Sequence, residues 1–192
     1  MSIYLVRHGE SAANCESLLS GVTDHPLTDR GRLQARAAGA QLRGIAFHRV
    51  FTSKLSRAME TCDLLLAASG ATVPRIERFE ELNERNFGRL EGARYEPPET
   101  LSEDDPRRRT FLDIDFRPPD GESVRDTHER AWAFFQSTLL PAATDKDILV
   151  VSHGNVLRAL IAHWLEWPID LSRNLSLSNC QVTRLRTDEI SR

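Results

Sequence analysis

The sequence predicts an α/β fold, a three-layer sandwich with a mainly parallel central sheet, helices on both faces and a small inserted segment above the site. Three observations carry that expectation. The runs Ile3 to Val6 and Ile148 to Val151 are short and continuously apolar, as strands buried on both faces require. Segments of helical periodicity lie between them, and strands alternating with helices mean βαβ units. Each run is followed closely by a histidine and a glycine, His8-Gly9 and His153-Gly154. Ligands in open α/β sheets bind beyond the carboxyl ends of parallel strands, so these distant histidines are expected in one crevice.

The elements follow in chain order. After the Ile3 strand, Thr28 to Arg43 reads as a helix with Leu33, Ala37, Ala40 and Leu42 on its apolar face. Arg49 to Thr52 and Val73 to Glu77 are weaker strand candidates, with a helix over Ser56 to Ala68 between them. Phe87 to Glu122 differs in composition, with Pro97-Pro98, an acidic run at 103–105, a basic run at 107–109 and Pro118-Pro119. It is expected to be an irregular insertion over the site. Ser123 to Leu140 is helical, with Val124, Ala131, Phe135 and Leu139 in phase. A last helix begins near Asn155, carries Leu157, Leu160, Ile161 and Leu165, and stops before Pro168. Cys180 to Arg186 alternates as a final strand.

A chain of 192 residues suits one domain, taken here as 1–192 with the insertion at 87–122. No apolar run approaches the roughly 20 residues of a membrane span. The first motif starts at Arg7, which leaves no room for a cleaved signal peptide ahead of it, and a cytoplasmic protein is expected. Cys15, Cys62 and Cys180 are too few and too scattered for a disulfide framework or a structural zinc site. A net charge of −3 gives no general attraction to nucleic acid, and every basic residue except Lys54 and Lys146 is arginine, whose fork suits phosphate. The expected partner is a small phosphorylated metabolite, with neither nucleic acid nor membrane.

Phosphoryl transfer through a protein nucleophile needs an uncharged attacking nitrogen, cations around the phosphoryl oxygens and an acid for the leaving oxygen. His8 is the candidate nucleophile, Arg7 and Arg57 grip oxygens with bidentate forks, and His153 faces the same oxygens as an imidazolium. The neighbouring cations should hold His8 neutral. The N–H groups of Gly154 and Asn155 open a helix toward an anion, and Asn14 adds a side-chain donor. Glu84 is the carboxyl group expected to protonate the leaving group and then activate water. No metal ligand and no cofactor is assigned.

Arg7-His8-Gly9-Glu10-Ser11, residues 21–28, Thr52 to Ala58, Leu82-Asn83-Glu84, Gly121-Glu122-Ser123 and Ser152-His153-Gly154-Asn155 together resemble the histidine phosphatase superfamily. The likeness is to its cofactor-dependent phosphoglycerate mutase-like branch. It spans nearly the whole chain with the motifs in the family order. It implies a phosphohistidine at His8, phosphate binding by Arg7, Asn14, Arg57 and His153, acid–base work by Glu84, substrate contact at Ser20 and Gly21, and no metal. Against that pattern, Phe87 stands where mutases usually carry tyrosine, and Tyr95 where they carry a substrate-binding lysine. Arg107, Arg108 and Arg109 are the candidates for the mutases' arginine pair. The shorter insertion and the short tail imply a more open site, where water competes with a second hydroxyl acceptor and hydrolysis is favoured.

The expected function is therefore hydrolysis of a small phosphomonoester, a sugar phosphate or phosphoglycerate-like compound, by a metal-independent enzyme. Phosphoglycerate mutase activity is the alternative within the family. A regulatory module that binds phosphate without turnover is the alternative of another class, and the intact set of Arg7, His8, Arg57, Glu84 and His153 counts against it. Asp113-Ile114-Asp115 has the paired aspartates of a metal-dependent phosphatase but follows a basic run rather than a buried strand.

Overall fold

The computed structural model describes residues 1–72, 75–144 and 146–187. Its sheet has five strands: β1 (Ser2–Arg7), β2 (Arg49–Ser53), β3 (Ile76–Phe79), β4 (Ile148–Ser152) and β5 (Val182–Arg186), in the spatial order β3-β2-β4-β1-β5. The first four are parallel, and β5 closes one edge antiparallel to β1. The register sets Arg7 beside Ser152, so His8 and His153 leave the sheet side by side.

The two apolar strands are buried on both faces, and alternate residues feed two cores. Ile3, Leu5, Ile148 and Val150 pack with α5 (Val124–Phe134) and α7 (Gly154–Trp164). Tyr4, Val6, Leu149 and Val151 pack with α2 (Asp29–Gln41) and α3 (Ser56–Ser69). The short helices are α1 (Ala12–Cys15), α4 (Pro106–Leu112) and α6 (Leu140–Ala142).

Local chemistry explains most boundaries. Thr28 caps α2 by accepting from Gly31 N–H, and Ser123 with Asp126 forms a capping box at α5. Gly70, at φ +71°, ends α3 in the left-handed conformation. The long helix expected to reach Leu140 instead passes through a π-helical turn at Phe135–Leu139. Pro141 lacks an N–H and crowds the carbonyl four residues back, which widens the turn before it.

Other boundaries and faces differ from expectation. Leu33, Ala37 and Ala40 of α2 are exposed, and the buried face is Gly31, Ala35, Ala38 and Gly39. Small residues are selected there because α2 lies close on α3: a Cβ at Gly39 would meet the carbonyl carbon of Leu65 at 3.0 Å. Leu165 is exposed because α7 ends at Trp164. The third strand begins at Ile76, and Val73 and Pro74 of the expected run lie outside the described residues. Cys180, at φ +56°, belongs to a turn whose N–H donates to Arg7 O, so β5 starts two residues later than the alternation implied.

The segment 87–122 is more ordered than its composition implied. Asp105 caps α4 and Pro106 occupies its first turn, a start signal present in the sequence. Both ends of the segment are tied together, with Glu122 N–H donating to Asn86 O and Arg89 N–H to Pro119 O.

Candidate active site

The site gathers at the carboxyl ends of β1, β4 and β2, with the segment after β3 supplying Asn83 and Glu84. A cleft of about 380 Å³ is lined by Arg7, His8, Asn14, Arg57, Glu84 and Gly154, among others. Ser20, Gly21 and Asn155 also line it. The sheet thus brings together every residue nominated from the sequence except His153, whose buried ring lies 5.0 Å from that of His8, centroid to centroid. Close packing holds His8 in place: a Cβ on Gly9 would sit 2.5 Å from Gly31 O, so only glycine lets this loop approach α2.

The hydrogen bonds fix both histidine tautomers. His8 Nδ1 lies 2.7 Å from Gly9 O; a carbonyl only accepts, so Nδ1 carries the proton and Nε2 keeps its lone pair. Asn83 Oδ1 accepts from Lys54 N–H and also from Ser53 Oγ–H, which uses the single serine proton. His153 Nε2, 2.7 Å from Ser53 Oγ, must then be the donor. That leaves His153 Nδ1 unprotonated, buried and without a partner.

Burial holds both imidazoles well below the ordinary histidine pKa, with Arg57 the next largest cause for each and Arg7 contributing to both. The imidazolium expected at His153 is therefore corrected for the free protein. Among these cations, a buried ring gives up its proton.

The arginines are anchored through backbone carbonyls. Arg57 Nη2 donates to Gly21 O at 2.6 Å and Nη1 to Thr23 O at 3.0 Å, while Arg7 Nη1 donates to Leu177 O at 2.6 Å. The Nε of each is buried and unpartnered. An anion would satisfy the two arginine donors, and His153 Nδ1, the third orphaned nitrogen of the cluster, only once its ring takes up a proton. Gly21, at φ +50°, is clamped from behind by Glu91, whose carboxylate accepts from Val22 and Thr23 N–H; a side chain at Gly21 would collide with it.

Several expected roles are modified. Asn14 Oδ1 accepts from Ser11 N–H and Asn179 Nδ2, so only its NH2 is uncommitted. The N-terminus of α7 is already partly used by the protein, because Asn155 N–H donates to Glu84 Oε1 at 3.1 Å, and Arg85 N–H donates to the same oxygen. Arg107 pairs with Asp105 and Glu96, Arg108 with Glu103, and Arg109 with Asp113, and none of the three lines the cleft. Their surface pairing removes them as the substrate-binding arginines. Asp115 likewise pairs with Arg125. Phe87 and Tyr95 do line the cleft.

Sequence reasoning missed Arg158, Asn179 and Ser53. Arg158 lines the cleft and sits four residues after Gly154, one helical turn along the same face, a spacing readable from the sequence. Asn179 donates to His8 O at 2.9 Å from the turn before β5, and nothing local marked it. Ser53 follows the expected β2 strand directly, yet its bond to His153 spans a hundred residues of chain.

Residues 3–191 match the histidine phosphatase superfamily (branch 1). The chain belongs to that superfamily. It is 40% identical over 171 residues to a Mesorhizobium japonicum protein named 2,3-bisphosphoglycerate-dependent phosphoglycerate mutase, covering 83% of this chain and 79% of that one. The fold resembles that of an α-ribazole phosphatase from Shigella flexneri, with TM-score 0.80, 30% identity, and 96% and 89% of the two chains covered. It also resembles a mycobacterial glucosyl-3-phosphoglycerate phosphatase, with TM-score 0.79, 25% identity, and 95% and 88% covered. Histidine phosphatase relatives of this chain thus carry names from both hydrolysis and mutation. Among the described residues no group of His, Cys, Asp or Glu is arranged to hold a metal ion, and no helix is long and apolar enough to cross a membrane.

Proposed function

We propose that this chain hydrolyses a small phosphomonoester through a phosphohistidine at His8. The observation that carries the reading is a neutral His8 with its Nε2 lone pair free, set between two arginines whose Nε groups lack partners. Nε2 attacks phosphorus, the bond from phosphorus to the ester oxygen breaks, and Glu84 gives a proton to the departing alkoxide. Water then attacks phosphorus, Glu84 takes its proton, and the P–N bond breaks to free His8 and phosphate. Arg7, Arg57 and Arg158 oppose the oxygen charge in both steps, a task for which no divalent ion is required. His153 Nδ1 joins them by taking up a proton as the phosphoryl dianion arrives.

Hydrolysis is favoured over transfer because Phe87 and Tyr95 line the cleft where the mutase pattern has tyrosine and lysine, and because Arg107, Arg108 and Arg109 are paired away from it. Mutase activity is the second reading, supported by the 40% identity to a named mutase. Three free cysteines suit work in a reducing compartment such as the cytoplasm.

The test is a panel of sugar phosphates and phosphoglycerates, with and without bisphosphoglycerate, scoring free phosphate against isomerised product. Free phosphate should dominate and persist in EDTA. Dominant isomerisation would establish the mutase instead, loss in EDTA reversed by a divalent ion would overturn the charge assignment, and binding without either product would indicate a regulatory module.

A further inference from the structure

Glu91 makes a concentrated set of contacts for a side chain that stands outside the cleft lining. Its Oε1 accepts from Val22 N–H at 2.9 Å and from Phe87 N–H at 3.1 Å, and its Oε2 accepts from Thr23 N–H at 2.8 Å and from the Thr23 hydroxyl. These donors belong to two segments that border the cleft, the loop through Ser20 and Gly21 and the start of the insertion at Phe87. Backbone pairing sets the reach of the carboxylate. Gly92 N–H donates to Leu19 O and Leu19 N–H to Ala93 O, both at 2.9 Å, which lays the chain around Glu91 beside that loop.

What these bonds fix is the seat of Arg57. Arg57 Nη2 donates to Gly21 O at 2.6 Å, and Gly21 O belongs to the same peptide unit as Val22 N–H. A trans peptide is planar, so an acceptor that holds the N–H on one side aims the carbonyl on the other. Glu91 and Arg57 therefore grip opposite ends of one amide group, and each bond polarises that amide in favour of the other. The amide follows a glycine at φ +50°, whose backbone can reach other states at little steric cost, so its direction needs a constraint from outside the loop. The missing side chain is also what lets the carboxylate approach, because a Cβ at Gly21 would collide with it. Thr23 completes the seat: its N–H and hydroxyl go to Glu91, and its carbonyl accepts from Arg57 Nη1 at 3.0 Å. Burial pushes the Arg57 pKa down, and Glu84, Asp24 and Glu91 oppose that push.

We propose that Glu91 is a positioning residue for phosphoryl transfer: by fixing the Gly21–Val22 amide and Thr23, it holds the Arg57 guanidinium in the attitude that meets the phosphoryl oxygens. The inference rests on the reading above for what Arg57 binds. Loss of Glu91 should loosen one arginine of the site and leave the other in place, because Arg7 is anchored through Leu177 O instead.

The experiment measures inorganic phosphate affinity by calorimetry, and kcat/KM on nitrophenyl phosphate, for Glu91→Ala in the wild-type, Arg57→Lys and Arg7→Lys backgrounds. Lysine keeps each charge but cannot reproduce the fork of a guanidinium. In the wild-type background Glu91→Ala should weaken both quantities by about tenfold to 10²-fold, the scale on which a misplaced binding group acts. That loss should fall to about twofold or less in Arg57→Lys and persist in full in Arg7→Lys, since groups in one network couple and independent groups add. A merely structural role would give the same loss in both backgrounds. That outcome, or a negligible loss in the wild type, would overturn the inference and leave the phosphomonoesterase reading intact. Glu91→Gln keeps one acceptor oxygen and should recover part of the loss, and it carries the same cycle if Glu91→Ala does not fold. If Arg57→Lys changes neither phosphate affinity nor turnover, the charge assignment to Arg57 fails and the role of Glu91 falls with it. Phosphate binding without turnover would instead sink the reaction assigned above, and the affinities alone then decide the role of Glu91 by the same criteria.

Discussion

Gly154→Ala separates the fold from the chemistry. Gly154 is the first residue of α7, and a Cβ there would lie 3.6 Å from Glu84 Oε2, 3.6 Å from Arg158 Nη1 and 3.8 Å from Arg7 Nε. These are ordinary van der Waals separations, so nothing must move. Alanine in a helix is favoured over glycine by about 0.5–1 kcal/mol, and the variant should melt no lower than the wild type. The same methyl enters the space ringed by Glu84, Arg158 and Arg7, where the phosphoryl oxygens are proposed to lie. Displacing one charge-assisted hydrogen bond costs about 1.5–3 kcal/mol, which is about ten- to 150-fold in kcat/KM. The assay is steady-state hydrolysis of a sugar phosphate, with inhibition by inorganic phosphate and a thermal melt run alongside. Full activity with unchanged phosphate inhibition would place the phosphoryl group elsewhere. A melting point several degrees lower would mean that the space at Gly154 is not open.

The other predictions address the remaining groups. His8→Ala should abolish turnover of every ester, whereas Glu84→Gln should lose about 10²–10⁴-fold on a sugar phosphate and far less on a nitrophenyl phosphate, whose leaving group departs unprotonated; equal losses would contradict the acid role. His8, His153 and His128 are held below the ordinary value of about 6.5, the last at about 4, so the unfolded chain takes up protons first as pH falls. Their contribution to stability is complete above about pH 6.5 and is lost below it, so the urea midpoint should drop between about pH 7 and pH 5, and a flat profile would contradict the neutral rings. Inorganic phosphate binding at about pH 8, where the ligand is already a dianion, should take up a proton on His153 Nδ1. Calorimetry in two buffers of different ionisation enthalpy measures that uptake, and a value of zero would leave His153 without the cationic role.

What the sequence disclosed follows the range of the interactions concerned. Ile3 to Val6 and Ile148 to Val151 were legible because burial on both sheet faces leaves no polar position, and the histidine after each run was then placed by topology alone. The buried face of α2 was not legible, since a pattern weighted toward large apolar residues selects Leu33, whereas close contact with α3 selects Gly31, Ala35, Ala38 and Gly39. Asp105-Pro106 announced α4 locally and was lost within a segment read by composition.

The depressed histidines also tie the charge of the site to its occupancy. In the free protein burial, and after it Arg57 and Arg7, keep His8 unprotonated, and burial, Arg57, His8 and Arg7 act in the same way on His153. A phosphoryl dianion reverses the balance for whichever ring can bond to its oxygens. The tautomers make the two rings unequal. His8 Nδ1–H is committed to Gly9 O, so its only basic atom is Nε2, the proposed nucleophile, whereas His153 is held by Ser53 and Asn83 with Nδ1 bare. Protonation of His8 would consume the nucleophile, while protonation of His153 adds a donor to the oxygens. On the proposed mechanism, two like side chains 5.0 Å apart thus take opposite proton states through one carbonyl and one serine hydroxyl, with the substrate supplying the field that charges the second.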